Sequence, residues 1–466
     1  MAIRTISENI EIRPDLDKHP KGLYVLFATE MWERFSFYSM LSLFTLYLQN
    51  SDQGFGWARN DATRVYSYYL ALVYFSPLLG GWIADRKLGY RRSVMIGGFF
   101  FMAGHLLLSF RVEAIMYVAL MCLVIGNGFF KPNVSAMVGK LYPEGSHLKD
   151  RAFNIFYMGI NIGAFTAPIV MEVVKTRIGY HPAFAVAAGG MVISVSILWR
   201  FKRHLEGVDR GTGAGSAGGE AQEFAALSAP GHHALDSVPD WKRIAALIVI
   251  FLIVVVFWMA FHQNGATWTY FANDNTDWGS SSVVPVIITI LTLGLVDGSN
   301  VSGVISNAIN PFFVIVLTFP LIWFWGWLDK KGKEPSTPTK MAIGMLLVAG
   351  AYLLMYQAAV SGGNVGKVSP WWLISAYAVI TTGELMLSPM GLSLVSKVAP
   401  VRLRGLMMGG WFAATAAGNY LVGTIGVKWT VWSHSKFFLV VAFMAAAVGI
   451  LLFFIVKPLK KAMPGV

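Results

Sequence analysis

The sequence predicts an all-α integral membrane protein, and three observations support this fold class. Of its 466 residues, 55% are hydrophobic and only 13% are charged, about half the charged fraction of a typical soluble domain. Apolar stretches of 18 or more residues, long enough to cross the bilayer core as helices, recur from end to end. Lysine and arginine are concentrated in short connections between these stretches.

Twelve spanning helices are predicted, in two bundles of six that are joined by a polar, glycine-rich stretch. GVDRGTGAGSAGGEAQ lies in this stretch, which is too polar to span and is expected to be a flexible linker. The predicted spans run at about 22–49, 63–85, 93–110, 113–139, 151–174, 182–200, 243–271, 303–328, 340–360, 370–399, 404–427 and 435–456, with ends placed to within a few residues. The predicted domains are a cytoplasmic tail (1–21), a first bundle (22–200), a cytoplasmic linker (201–242), a second bundle (243–456) and a cytoplasmic tail (457–466).

The distribution of basic residues predicts the orientation in the membrane. With both termini and the linker in the cytoplasm, 27 lysines and arginines fall inside and eight outside, while Arg34 and Lys131 fall within spans. This asymmetry favours the proposed orientation and an even number of spans. One apolar segment, 283–296, has only 14 residues and would cover about 21 Å of a roughly 30 Å core. We interpret it as an interfacial or re-entrant piece, because a spanning role would invert everything after it.

Charged residues within the predicted spans are candidates for function, because a charge at mid-membrane costs at least about 2.5–3.5 kcal/mol. Glu30, Glu33 and Arg34 lie on one stripe of the first span, and the spacing of Glu30 and Arg34 allows an ion pair within the helix. Their alternative role is a structural salt bridge between helices. Two acids that share one base leave a carboxylate under-compensated, which favours proton binding.

Three ionisable residues in other spans are further candidates. Lys131 in the fourth span either faces the interior or extends to the interface, and Glu384 in the tenth is either a functional acid or a protonated packing residue. An acid in the second bundle and a base in the first could pair across a pathway. His262 in the seventh span is either a proton relay or a hydrogen-bonding interface residue.

Polar residues at helix depth complete the set of candidates. Asn161 and Asn310 are suited either to substrate termini or to hydrogen bonds between helices. Tyr38, Tyr74 and Tyr157 combine an apolar ring with a polar tip, as a pocket or ordinary packing would require.

Several classes of function lack support in the sequence. The net charge of +12 is not arranged as a nucleic-acid surface, and the single cysteine excludes a disulfide framework. Metal-binding, ATP-hydrolysing and serine–histidine signatures are absent, so neither a metal site, a cofactor nor an enzyme activity is predicted.

The motifs along the chain resemble those of the proton-dependent oligopeptide transporter family of the major facilitator superfamily, and of its bacterial members in particular. The matches run in order through both bundles: ExxERF from Glu30, GGWIADR, FFKPN, FYxxINxG, NPFF, GELxLSPxGLS and MMGxWF. The resemblance implies the major facilitator fold and import of di- and tripeptides, with protons as the coupling ion. It also implies a monomer in the bacterial inner membrane.

The resemblance also implies roles for individual residues. Glu30, Glu33 and Arg34 resemble the proton-coupling group, with His262 as a further candidate. Arg34 and Lys131 would attract the peptide carboxylate. The residues that would hold the amino terminus are Glu384, Asn161 and Asn310, and those that would line side-chain pockets are Tyr38, Tyr74, Tyr157 and Trp411.

The sequence departs from the family pattern at three positions. Leu41 and His262 replace the two members of an ion pair that often closes the outer gate, so closure there is expected to use packing or another polar pair. Phe37 replaces the first tyrosine of the usual pair.

The alternative function is a same-fold carrier for nitrate or a peptide-like drug, and Glu384 favours peptides because nitrate has no amino terminus. A channel or receptor without coupled transport is a different class, which a proton-gradient uptake assay separates.

Overall fold

The computed structural model describes residues 18–143, 146, 148–208 and 238–464, and within these ranges the chain is helical without strands. Residues 209–237, most of the predicted linker, and 1–17, most of the predicted N-terminal tail, lie outside the described residues. Before the linker lie α1 (Lys21–Gln49), α2 (Arg59–Ile83), α3 (Tyr90–Leu107), α4 (Glu113–Lys140), α5 (Lys149–Arg177) and α6 (Tyr180–Arg200). After it lie α7 (Asp240–Phe261), α8 (Thr267–Asp274), α9 (Val284–Leu291), α10 (Ile309–Asp329), α11 (Thr337–Ser361), α12 (Pro370–Val398), α13 (Arg404–Gly426) and α14 (His434–Ala462).

Many of these helices are suited to a membrane. Seven helical stretches in the described ranges are long and apolar enough to cross one. They are Glu113–Lys140, Arg151–Arg177, Tyr180–Arg200, Asp240–Asp274, Gly303–Asp329, Thr337–Ser361 and His434–Ala462. The helix α1 has a comparable length but buries polar and charged side chains against its neighbours. The chain is therefore an integral, multi-pass membrane protein.

The helices pack into two halves. In the first half, α1 packs against α5 and α6, and α3 packs against α4 and α6. In the second half, α11 packs against α12 and α14, and α13 packs against α7. The halves meet where α2 contacts α13, and where α5 contacts α10 and the 3-10 turn Gly303–Ala308.

The seventh predicted span, 243–271, is interrupted in the structure. The helix α7 ends at Phe261, and a 3-10 turn, His262–Gly265, precedes α8. Asparagine and glycine are weak helix formers, and Thr45 donates a hydrogen bond of 3.1 Å to the Gly265 carbonyl. A Cβ at position 265 would lie 2.0 Å from the Tyr66 hydroxyl. The break is therefore held by the opposite half.

The connection between α8 and α10 contains the short apolar segment 283–296. It forms α9, which has eight residues and a length of about 12 Å. The eighth predicted span, 303–328, begins not with an α-helix but with the 3-10 turn Gly303–Ala308, which Ser302 caps by accepting a hydrogen bond from the Val304 amide.

Close contact between α2 and α4 depends on a proline in α4, Pro132, and a glycine in α2, Gly80. Pro132 in α4 has no N–H, so it cannot satisfy the carbonyl of Gly128 one turn earlier. That carbonyl faces Gly80 of α2, where an added Cβ would lie 1.8 Å from the oxygen. Small residues allow this close approach of helices in membranes.

We predict that Gly80→Ala destabilises the protein by about 1–3 kcal/mol, because the methyl group must separate α2 from α4. The measurement is thermal unfolding in detergent. Gly81→Ala is the matched control, since its Cβ would lie 3.6 Å from the Pro132 ring, an ordinary contact. Equal melting temperatures for the two variants would contradict the prediction.

Candidate functional site

A polar cavity lies between the two halves, at the centre of the helix packing. Both halves supply its lining, the first through α1, α2, α4 and α5 and the second through α7, α10, α12 and α13. Ten of the twelve predicted site residues line it: Arg34, Tyr38, Tyr74, Lys131, Tyr157, Asn161, His262, Asn310, Glu384 and Trp411. The other two, Glu30 and Glu33, contact Arg34 instead.

Arg34 is the centre of a buried ion cluster in α1. Its Nη2 donates to Glu33 Oε1 at 2.5 Å and its Nε donates to Glu33 Oε2, which forms a two-pronged pair. The same Nε lies 3.4 Å from Glu30 Oε1. All three residues are no more than 3% exposed. Such a cluster places the fixed positive charge of Arg34 beside two carboxylates.

Asn127 of α4 links this cluster to α2. Its Oδ1 accepts a hydrogen bond from Arg34 Nη2 at 3.4 Å, and its Nδ2 donates to the Val73 carbonyl at 2.7 Å. The usual helical donor to that carbonyl would be the N–H of residue 77, which is proline. Asn127 therefore supplies a missing backbone donor while it positions Arg34.

Lys131 follows one turn later on the same face of α4. Its Nζ lies 5.1 Å from the centre of the Tyr74 ring, within range of a cation–π contact. Tyr74 in turn lies 5.4 Å from the His262 ring. The two bases of the site, Lys131 and Arg34, thus belong to the first half.

Glu384 is the acid that the second half contributes to the cavity. Its Oε2 accepts a hydrogen bond of 2.8 Å from Asn310 Nδ2, which also donates to Thr381 Oγ1 at 2.9 Å. Asn310 thereby holds α10 against α12 and orients the carboxylate. The cavity has bases on one wall and an oriented acid on the other.

Aromatic side chains occupy the space between these walls. Trp258 stacks on His262 at 4.7 Å, and His262 Nδ1 forms a hydrogen bond with Asn419 Oδ1. The Trp411 ring packs so closely on Gly391 that a Cβ there would lie 1.9 Å from it. Leu41 also lines the cavity and carries no charge, and His262 forms no ion pair with the residues that the structure describes.

Three asparagines of the site were not predicted from the sequence: Asn127, Asn264 and Asn307. Asn264 and Asn307 line the cavity from the break after α7 and from the turn before α10. Their spacing could have indicated two of them, because residues three or four apart share a helix face. Asn127 lies four residues before Lys131, and Asn307 lies three before Asn310. Asn161, by contrast, donates its Nδ2 within its own helix, to the Tyr157 carbonyl at 2.9 Å.

The cavity is covered at the end of the molecule that lies opposite the end of α6 and the start of α7, here called the linker-distal end. Arg59 of α2 pairs with Asp274 of α8 at 2.8 Å, and Thr63 forms a hydrogen bond of 2.9 Å with the Tyr270 hydroxyl. These contacts join the first half to the second. They are polar pairs of the kind expected in place of an ion pair between positions 41 and 262.

A second contact at the linker-distal end is buried. The Glu172 carboxylate of α5, 1% exposed, accepts hydrogen bonds from the Ser302 amide at 2.9 Å and from its hydroxyl at 2.6 Å. Lys175 Nζ contacts both residues, at 3.1 Å from Glu172 and 2.5 Å from Ser302. We call Glu172, Lys175 and Ser302 the α5 latch.

A central polar cavity between two halves of a multi-pass membrane protein, closed at one end by polar contacts, is the arrangement expected of a membrane transporter. The sequence model of the POT family matches residues 91–212 and 226–446, and the chain belongs to the POT family. It is 33% identical to the peptide transporter YePEPT of Yersinia enterocolitica, with 88% of each chain covered. It is 29% identical to the di-/tripeptide transporter of Lactococcus lactis, covering 95% of this chain and 96% of the relative.

A solved structure has the same fold. It is a POT family transporter in complex with a thioalcohol-conjugated peptide, with a TM-score of 0.82 and 26% identity. The likeness covers 95% of this chain and 97% of that one. The fold thus extends over nearly the whole of both chains.

We predict that Asn127→Ala destabilises the protein by about 1–3 kcal/mol, because the Val73 carbonyl loses its side-chain donor from α4. Asn133→Ala is the matched control, since that buried amide donates only within α4, to the Phe129 carbonyl. Thermal unfolding in detergent measures both effects.

Pro77→Ala should rescue Asn127→Ala, because alanine restores the helical N–H that Asn127 replaces. The double variant is therefore expected to be more stable than the sum of the two single changes. Strict additivity would show that Asn127 does not act through the Val73 carbonyl.

Proposed function

We propose that this chain is a proton-coupled symporter that imports di- and tripeptides by alternating access between its two halves. The observation that carries the proposal is the charge arrangement of the cavity, with Arg34 and Lys131 on one wall and Glu384 with Asn310 on the other. A short peptide is a zwitterion, so its carboxylate and its ammonium group complement these walls. The printed functions of the Yersinia and Lactococcus relatives and the peptide ligand of the solved structure support the same substrate class.

The two-pronged pair between Arg34 and Glu33 offers a route for coupling. While Glu33 is ionised, it occupies the Arg34 donors that a peptide carboxylate would use. A proton on Glu33 weakens that pair and releases Arg34 for the substrate. Proton and peptide then bind cooperatively, which is what symport requires.

The fuller organisation that we propose has twelve spans in two six-helix bundles with both termini and the linker in the cytoplasm, in the bacterial inner membrane. The 27-to-8 asymmetry of basic residues supports this orientation. The linker-distal end then faces outward, and the α5 latch lies at the outer gate. In this proposal the protein acts as a monomer with protons as its coupling ion, and performs no enzymatic reaction.

The first test is uptake of a labelled dipeptide by proteoliposomes under an inward proton gradient. Accumulation should stop when a protonophore is added, and unlabelled dipeptides and tripeptides should compete while nitrate should not. Nitrate has no amino group to interact with Glu384, so strong competition by nitrate would favour the alternative carrier. Uptake that ignores the protonophore would rule out coupling.

We predict that Glu33→Gln abolishes proton-driven uptake but retains counterflow exchange of labelled peptide. Glutamine resembles the protonated acid, so Arg34 stays available to the substrate while the titrating group is lost. Glu113→Gln is the control, because this acid is exposed at the start of α4. Driven uptake at the wild-type level in Glu33→Gln would refute the assigned role.

We predict that Glu172→Gln opens the outer gate about tenfold more often, because an amide accepts the Ser302 and Lys175 hydrogen bonds less strongly than a carboxylate. The reporter is Leu41→Cys in the cavity, in a Cys122→Ser background. The measurement is its labelling rate by an impermeant maleimide added outside right-side-out vesicles. Glu113→Gln again serves as the control, and an unchanged rate in Glu172→Gln would show that the α5 latch does not hold the gate.

A further inference from the structure

A second concave site lies away from the cavity, between α3 and α6 at the periphery of the first half. Three basic residues line it: Arg91 and Arg92 from the first turn of α3, and Lys202 just beyond α6. Arg92 and Lys202 are exposed. Trp199, 62% exposed, also lines it, and Lys202 Nζ lies 5.9 Å from its ring. We call this site the α3–α6 groove.

The floor of the groove is apolar. Met95 and Ile96 line it from the next turn of α3, and Leu198 lines it from α6. Deeper still, the two helices touch, since a Cβ at Gly98 would lie 2.5 Å from a methyl group of Val195. The contact between Gly98 and Val195 therefore closes the groove at one end. The basic residues lie at its other end, near the start of α3 and the end of α6.

The position of the groove along the helices corresponds to the membrane interface. Tyr180–Arg200 is one of the stretches apolar enough to cross a membrane, so Trp199 and Lys202 lie at its boundary. Tryptophan concentrates at that depth, where its ring is in the apolar region and its N–H faces water. In the proposed orientation this boundary belongs to the cytoplasmic leaflet, which carries anionic lipids.

A ligand of this groove must combine a negative charge with an apolar chain. We propose that the α3–α6 groove binds one anionic glycerophospholipid, with its headgroup phosphate between Arg92 and Lys202 and an acyl chain along Met95, Ile96 and Leu198. Charge complementarity selects an anionic headgroup over a zwitterionic one, and the apolar floor selects a lipid over a free anion. This inference does not depend on the transported substrate.

The test uses the full-length protein purified in a neutral detergent. Dioctanoyl-phosphatidylglycerol is titrated and its binding followed by thermal shift and by native mass spectrometry. Each lysine or arginine near an anionic surface contributes about fivefold in affinity, so the double variant Arg92→Gln/Lys202→Gln should bind roughly 25-fold more weakly. The variant Lys457→Gln/Lys460→Gln removes the same charge from the exposed end of α14 and should bind like the wild type.

Two further ligands decide between a lipid site and simpler explanations. Dioctanoyl-phosphatidylcholine and inorganic phosphate should each bind at least tenfold more weakly than the phosphatidylglycerol. Phosphate that binds as well as the lipid would reduce the groove to an anion site and overturn the proposal. An equal loss in both double variants would overturn it as well, because net charge rather than the groove would then explain the binding.

Discussion

The buried ion cluster of Arg34 with Glu30 and Glu33 is the constraint on which the first half of the structure depends. A guanidinium group remains charged in proteins, so within the membrane Arg34 requires counter-charges and hydrogen-bond acceptors for its N–H donors. Glu33 supplies two acceptors, Glu30 a second counter-charge and Asn127 a third hydrogen bond. Because Asn127 also completes the backbone of α2, the same cluster fixes the relation of α1, α2 and α4.

Prolines within the helices make that relation specific. Pro77 frees the Val73 carbonyl from its helical partner, and in a membrane interior such a carbonyl must find other donors. Ser76 of the same helix donates to it at 3.1 Å. Asn127 supplies the shorter hydrogen bond from α4, at 2.7 Å, and Gly80 of α2 leaves room for the carbonyl that Pro132 frees in α4. Each helix thus carries a proline-induced defect that its neighbour helps to accommodate. Neighbouring helices matched in this way are expected to move together when the two halves rock.

The sequence predicted the helical, membrane-spanning class and candidate residues that share one cavity, for a physical reason. Charges and amides inside apolar stretches are so costly that their presence alone indicates function, and Arg34, Lys131, Glu384 and Asn310 do line one cavity. The break after α7 was not predicted, because the run from 243 to 271 is apolar enough for one helix and the contacts that hold the break come from Thr45 and Tyr66. Glu172 lies two residues before the end of the predicted span 151–174, so its charge was a usable signal that was overlooked. Its pairing with Ser302, 130 residues away, could not be predicted, because no local pattern reports such a contact.

The chemistry of the α5 latch suits a gate that must open as well as close. A buried carboxylate is stable only with its hydrogen bonds filled, and Glu172 receives them from Ser302 in the other half. When the halves separate, water replaces Ser302 while Lys175, on the same helix, stays beside the acid. The charge is therefore compensated in both states, and the net free energy that favours closure is small. Leu41 and His262 line the cavity without an ion pair to any described residue. In the orientation that we propose, the outer closure is therefore left to reversible contacts of this kind.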